Sequence, residues 1–92
     1  MRNITFDRDA FAQFTDWATR DKKIHDRIIA LINEIGRDPF KGIGKPEPLK
    51  YDLKGWWSRR ITDEHRLIYK VTLALLPRQR RSHIFDIGHY RK

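Results

Sequence analysis

The spacing of apolar residues changes character twice along the chain, and the changes mark off a strand, a pair of helices and a sheet. Asn3-Ile4-Thr5-Phe6 alternates polar and apolar, as a short strand does. Asp7 or Asp9 then offers a helix cap, and Ala10, Phe11, Phe14, Trp17 and Ala18 fall on one face of a helix running to about Thr19. Trp17 reads as core or groove lining rather than as a platform for a base. A second start at Asp21 opens the clearest helix, with Ile24, Ile28, Leu31, Ile32 and Ile35 at helical spacing and Gly36 as the expected stop. The link around Arg20 is so short that the two helices should form a hairpin whose joint apolar face covers a sheet.

Arg37 to Lys50 holds three of the four prolines and both glycines of Lys41-Gly42-Ile43-Gly44, which predicts an ordered loop crossing the molecule. Pro46 and Pro48 fix the torsions around Glu47, so the loop holds that carboxylate in place. Alternation then takes over. Trp56 to Ile61 and His65 to Val71, joined by Thr62-Asp63-Glu64, predict an antiparallel hairpin. Its parity turns Trp57, Ile61, Leu67, Tyr69 and Val71 toward the helices and Trp56, Ser58, Arg60, Arg66, Ile68 and Lys70 away from them. Arg59 shares the core parity, a conflict that a bulge or snorkelling could resolve. Pro77 and the run Arg78 to Ser82 predict a turn, and His83 to Ile87 a last strand. Gly88 is expected to release His89-Tyr90-Arg91-Lys92 from the sheet. The whole predicts a single α+β domain over residues 1–92. After an N-terminal strand, a two-helix hairpin packs on one face of a twisted antiparallel sheet, and a basic active face lies opposite.

Composition narrows the function. A chain of 92 residues supports one core and no more. It has no cysteine, which removes disulfides, thiolate nucleophiles and the commoner zinc sites. No apolar run is long enough to span a bilayer and no signal-peptide core follows Met1, so a cytoplasmic protein is expected. Twenty Lys and Arg against twelve Asp and Glu leave a net charge of +8, which points to a polyanionic partner. Both helices need their apolar faces for the core, which argues against an anionic membrane as that partner.

Three classes of function fit these residues to different degrees. A metal-independent ribonuclease needs a base for the ribose 2′-hydroxyl, cations for the charge that develops on phosphorus, and an acid for the leaving 5′-oxygen. Glu47, Arg66 and His89 are the candidates, with Lys50 and Arg60 as phosphate ligands and Tyr90 as a stacking or hydrogen-bonding group. Lys45 and Arg59 are further candidate RNA contacts. A binding module without chemistry explains the arginines but not Glu47, since a carboxylate in a phosphate site weakens binding unless it is spent in a salt bridge. A metal enzyme would draw on His25, His65, His83 and His89, whose spacing matches no compact ligand motif, so neither metal nor cofactor is expected.

GKPEPLK from Gly44 to Lys50, GWWSRRITDEHRLIYKV from Gly55 to Val71, and the terminal His89-Tyr90 together resemble, in order, the signatures of the YoeB toxins. These belong to the RelE-type group of bacterial toxin-antitoxin ribonucleases. Lys22 with Ile24 and Asp38-Pro39-Phe40 extend the similarity. The resemblance implies an mRNA interferase that enters the ribosomal A site and cuts by 2′-hydroxyl attack without metal. It casts Glu47 as general base, Arg66 as transition-state cation, His89 as general acid, Lys50 and Arg60 as phosphate or charge-tuning residues, and Tyr90 as a positioning group. It also implies a YefM-type antitoxin, a homodimer, and operator DNA binding by the toxin-antitoxin complex. In strict alternation His89 would share a face with Phe85 and Ile87, so its approach to Arg66 depends on the expected break at Gly88.

Overall fold

The computed structural model describes residues 3–73 and 80–89. Strand β1 (Asn3–Phe6) leads into helices α1 (Arg8–Arg20) and α2 (Lys22–Arg37). Four strands follow: β2 (Glu47–Pro48), β3 (Trp57–Arg60), β4 (His65–Leu73) and β5 (Arg80–His89). They form one five-stranded sheet in the order β1-β5-β4-β3-β2, with β1 parallel to β5 and every other pair antiparallel. The strand, helix pair and sheet expected from the apolar pattern are all present.

The helix ends show local chemistry at work. Asp21 ends α1 and caps α2, its side chain accepting from the backbone N–H groups of Lys23 at 3.0 Å and Ile24 at 3.3 Å. Asp7 occupies the N-cap of α1 but makes no side-chain cap bond; its own N–H donates to the Ile84 carbonyl, tying the helix start to β5. Gly36 does not stop α2, correcting the expectation. It is buried inside the helix, and the end comes at Asp38, which Pro39 holds in an extended conformation.

One face of the sheet meets the helices. Ala10, Trp17, Ile28, Leu31, Ile35, Ile61, Leu67, Tyr69, Ile84 and Ile87 form a continuous core there, joined by Ile4, Phe6, Phe14, Ile24, Ile32 and Trp57 at its margins. Shortening Ile28, Leu31 or Ile35, each wholly enclosed, to alanine would cost about 2–5 kcal/mol. Trp17 belongs to this core and meets His65 edge-on at 5.0 Å, so His65 lies inward as its parity required. Among the described residues no helix is long and apolar enough to cross a membrane.

Two further expectations change. Glu47 and Pro48 are not loop but a short edge strand, pairing with Ser58 and Trp57; an edge is where a sheet tolerates proline, because no ladder N–H is missed on the solvent side. Arg80-Arg81-Ser82 is not turn but the start of β5, pairing with Leu73, Thr72 and Val71. The expected turn residues Pro77 and Arg78 lie outside the described residues.

Candidate active site

The loop that delivers Glu47 to the sheet is tied down from inside the protein. Arg59 is fully enclosed, and every nitrogen of its guanidinium donates: Nε to the Tyr69 hydroxyl at 3.0 Å, Nη1 to the Ile43 carbonyl at 3.1 Å, and Nη2 to the carbonyls of Asp38 at 2.6 Å and Lys41 at 2.9 Å. The Tyr69 hydroxyl in turn donates to the Pro39 carbonyl at 2.5 Å. Burial pushes the Tyr69 phenol above its ordinary value, against the opposing pull of the Arg59 hydrogen bond and charge. Four carbonyls of the loop, at residues 38, 39, 41 and 43, are thus fastened to side chains of β3 and β4. The expected contact between Arg59 and RNA phosphate is corrected: its parity put it inward, and its donors are consumed by loop carbonyls.

Gly44 completes the attachment. Its carbonyl accepts from the Arg60 N–H at 2.6 Å, and its φ of 84° is one that side chains rarely adopt. A Cβ there would stand 2.7 Å from Leu31 Cδ2 and 3.1 Å from Arg59 Cβ, so the approach of loop to strand requires glycine. Lys45 follows with φ 49°, exposed, and the chain then enters β2.

On the sheet face away from the helices the register brings the candidate residues into two rows. Glu47, Ser58, Ile68 and Asp86 are successive partners across β2, β3, β4 and β5. One step along, Arg60 faces Arg66, and Arg66 faces Gly88. Glu47 is exposed and pairs with Ser58, which makes it a diagonal neighbour of Arg60, a relation that spaces residues about 7–8 Å apart across a ladder. Ser58 and Ile68, the middle of the first row, are buried. Among the described residues Glu47, Arg60 and Arg66 have no ion-pair partner, and Arg60 Nε is buried without an acceptor. Two arginines directly opposite one another, with no counter-charge among the described side chains, repel, and an anion laid between them would relieve both. Lys50 is exposed beyond β2, while Lys70 stands over the Trp56 ring at 4.7 Å.

His89 differs from expectation. Gly88 does not break the strand: β5 continues through His89, whose backbone pairs with His65, while Gly88 is the residue opposite Arg66. The backbones of β2 and β5 are separated by two intervening strands, about 14 Å in all, so groups from the two can serve one phosphate only by meeting above β3 and β4. Tyr90, Arg91 and Lys92 lie outside the described residues. Among those described, no three His, Asp or Glu side chains converge in a way that could hold a metal ion.

Sequence reasoning missed the task of Tyr69, which it assigned to the core alone. A buried tyrosine needs a partner for its hydroxyl, and a buried arginine of the same parity on a neighbouring strand was available to supply one. The loop carbonyls that complete the cage come from 16 to 21 residues away in the chain, beyond the reach of local pattern.

A model of the YoeB-like toxins of bacterial type II toxin-antitoxin systems matches residues 6–83, ending before His89. Toxin YoeB of Mycobacterium bovis is 59% identical over 71 residues, 77% of this chain and 84% of that one. Among solved structures, the YoeB/ParE toxin from Agrobacterium tumefaciens superposes with a TM-score of 0.88 at 34% identity, covering 97% of this chain and 99% of that one. The heterotetrameric YoeB-YefM toxin-antitoxin complex from Staphylococcus aureus gives a TM-score of 0.83 at 37% identity, with 99% of both chains covered. In sequence and in fold, then, the chain belongs to the YoeB-like toxins of bacterial type II toxin-antitoxin systems.

Proposed function

We propose that this toxin is a metal-independent endoribonuclease that cleaves mRNA in the ribosomal A site and so halts translation. The observation that carries the reading is the exposed carboxylate of Glu47, unpaired among the described residues although it stands diagonal to Arg60 in the row next to Arg66. A purely structural carboxylate in such surroundings would be expected to pair. In the proposed reaction Glu47 takes the proton of a ribose 2′-hydroxyl, and the oxygen attacks the adjacent phosphorus. Arg66, with Arg60 and Lys50, carries the negative charge of the phosphorane. The bond from phosphorus to the 5′-oxygen then breaks as His89 donates a proton to that oxygen, leaving a 2′,3′-cyclic phosphate and a free 5′-hydroxyl.

The role of His89 rests on its imidazole, which can hold or release a proton near neutral pH; because the ladder runs unbroken past Gly88, the role requires the end of β5 to leave its pairing with His65 when substrate binds. Lys45 is a proposed phosphate contact of the loop, and Tyr90 a proposed positioning group. A YefM-type antitoxin, self-association as a homodimer, operator DNA binding by the toxin-antitoxin complex and a cytoplasmic site of action belong to the same proposal. The heterotetrameric YoeB-YefM assembly of the Staphylococcus relative supports the antitoxin and the self-association.

A non-catalytic basic module that binds RNA or the ribosome is the second reading. It accounts for Arg60 and Arg66 but leaves Glu47 opposing the phosphates it should bind. Mapping mRNA ends after induction of the protein in bacteria separates the two. Cuts confined to translated frames and ending in cyclic phosphate are expected; intact mRNA beside arrested ribosomes would favour the binder.

A further inference from the structure

We infer that Tyr51 is a base-stacking residue that holds one nucleobase of a single-stranded RNA next to the site of Glu47; this rests on the ribonuclease reading above. Tyr51 is 91% exposed and adopts φ 58°, a left-handed conformation that is unusual for a bulky aromatic residue. A turn needing only that torsion is better served by glycine or asparagine, so the ring is not explained by the fold.

The turn that carries it is rigid. Tyr51–Leu53 is a single 3-10 turn between β2 and β3, closed by backbone bonds from Leu53 to Lys50, Lys54 to Tyr51, Trp56 to Leu53 and Leu49 to Trp56. Leu49, buried, anchors the near side. The ring therefore projects from a fixed point four residues after Glu47, within about 14 Å along the chain. Exposed Lys50 and Lys54 flank it in the chain, cations available to the backbone phosphates of a strand whose base rests on the ring.

The other aromatic rings near this face are engaged. Trp56 lies under the Lys70 ammonium, Trp57 meets Phe40 at 5.0 Å, and Tyr69 is enclosed. Unstacked RNA bases need an open aromatic face, and among the described residues beside Glu47 it is Tyr51 that offers one.

The test uses an mRNA carrying 2-aminopurine at single positions, whose fluorescence is quenched on stacking, titrated with the Glu47→Gln protein both free and on a programmed ribosome. Quenching at one position is expected. Tyr51→Trp and Tyr51→Phe should keep it. Tyr51→Asn, which suits the backbone torsion and should melt no lower than the parent, should abolish it and weaken binding about 5- to 150-fold, the range for loss of one stacked base. Equal quenching and affinity in Tyr51→Asn, or no position-specific quenching in either setting, overturns the inference. An effect of Tyr51→Asn on sedimentation alone, with RNA binding unchanged, would make the turn a protein contact and likewise overturn it. Tyr51-dependent quenching without cleavage by the Glu47-containing protein would remove the ribonuclease reading and leave stacking intact.

Discussion

Arg59 and Glu47 show how differently one sheet treats two charges. Arg59 is surrounded by acceptors, and its charge is met by four hydrogen bonds rather than by a carboxylate. Lysine carries the charge but not the planar fork, so Arg59→Lys should leave at least one of the four acceptors unmet and the others poorly aligned. A loss of about 3 kcal/mol is expected, which in a domain of this size lowers the melting temperature by about 12–24 °C. A shift under about 4 °C would mean that the cage contributes little. Tyr69 adds a pH signature. Its raised value means that the folded state keeps the phenolic proton more tightly than the unfolded chain does. The stability this contributes is complete below the ordinary tyrosine value of about 10 and is lost as pH rises through the higher folded value. Thermal melts of the wild type should therefore fall more steeply above pH 10 than those of Tyr69→Phe, which starts less stable but lacks the titration. Parallel alkaline profiles would contradict this.

At the scale of elements, the site is as good as the attachment of β2. Gly44→Ala forces an unfavourable torsion and a contact with Leu31, costing about 1–3 kcal/mol. It should also shift β2, so cleavage at a temperature where the variant is fully folded should still drop at least tenfold; full activity there would uncouple the loop from catalysis. The two helices were legible in the sequence because their apolar residues repeat over several turns and Asp21 marks a boundary. The β3–β4 hairpin was legible because alternation identifies faces without knowledge of neighbours, and it placed Arg60 and Arg66 together. β2 was not, since two residues between prolines carry no period, and only pairing with β3 makes them a strand. The first residues of β5 were hidden for a similar reason: Arg80-Arg81-Ser82 has no alternation, and β1 and β4 on either side impose the extended form. Gly88 was read as a break because glycine weakens strands, yet the pairing of His65 with His89 carries the ladder past it. Among the described residues truncation after Gly88 removes only the last rung of that ladder, so melting should change by a few degrees while cleavage is lost. A truncated protein that cuts at the wild-type rate would exclude His89 and Tyr90 from the chemistry.

For the molecule as a whole, the helices cover one face of the sheet, the paired arginines and Glu47 occupy the other, and a charge of +8 surrounds both. Binding to RNA should weaken steeply with salt, and Lys50→Ala should reduce the slope of log affinity against log salt by about 0.7, the value for one contact to single-stranded phosphate. The central claim is that this face performs a reaction on the phosphate it binds. Single-turnover cleavage of A-site mRNA at saturating ribosome, compared between wild type and Glu47→Gln, tests it most directly, because saturation removes differences in binding. The expected result is a cyclic-phosphate product from the wild type and a rate about 10²- to 10⁴-fold lower in Glu47→Gln at equal ribosome affinity. Equal rates in the two proteins would contradict the account and return Glu47 to the surface charges.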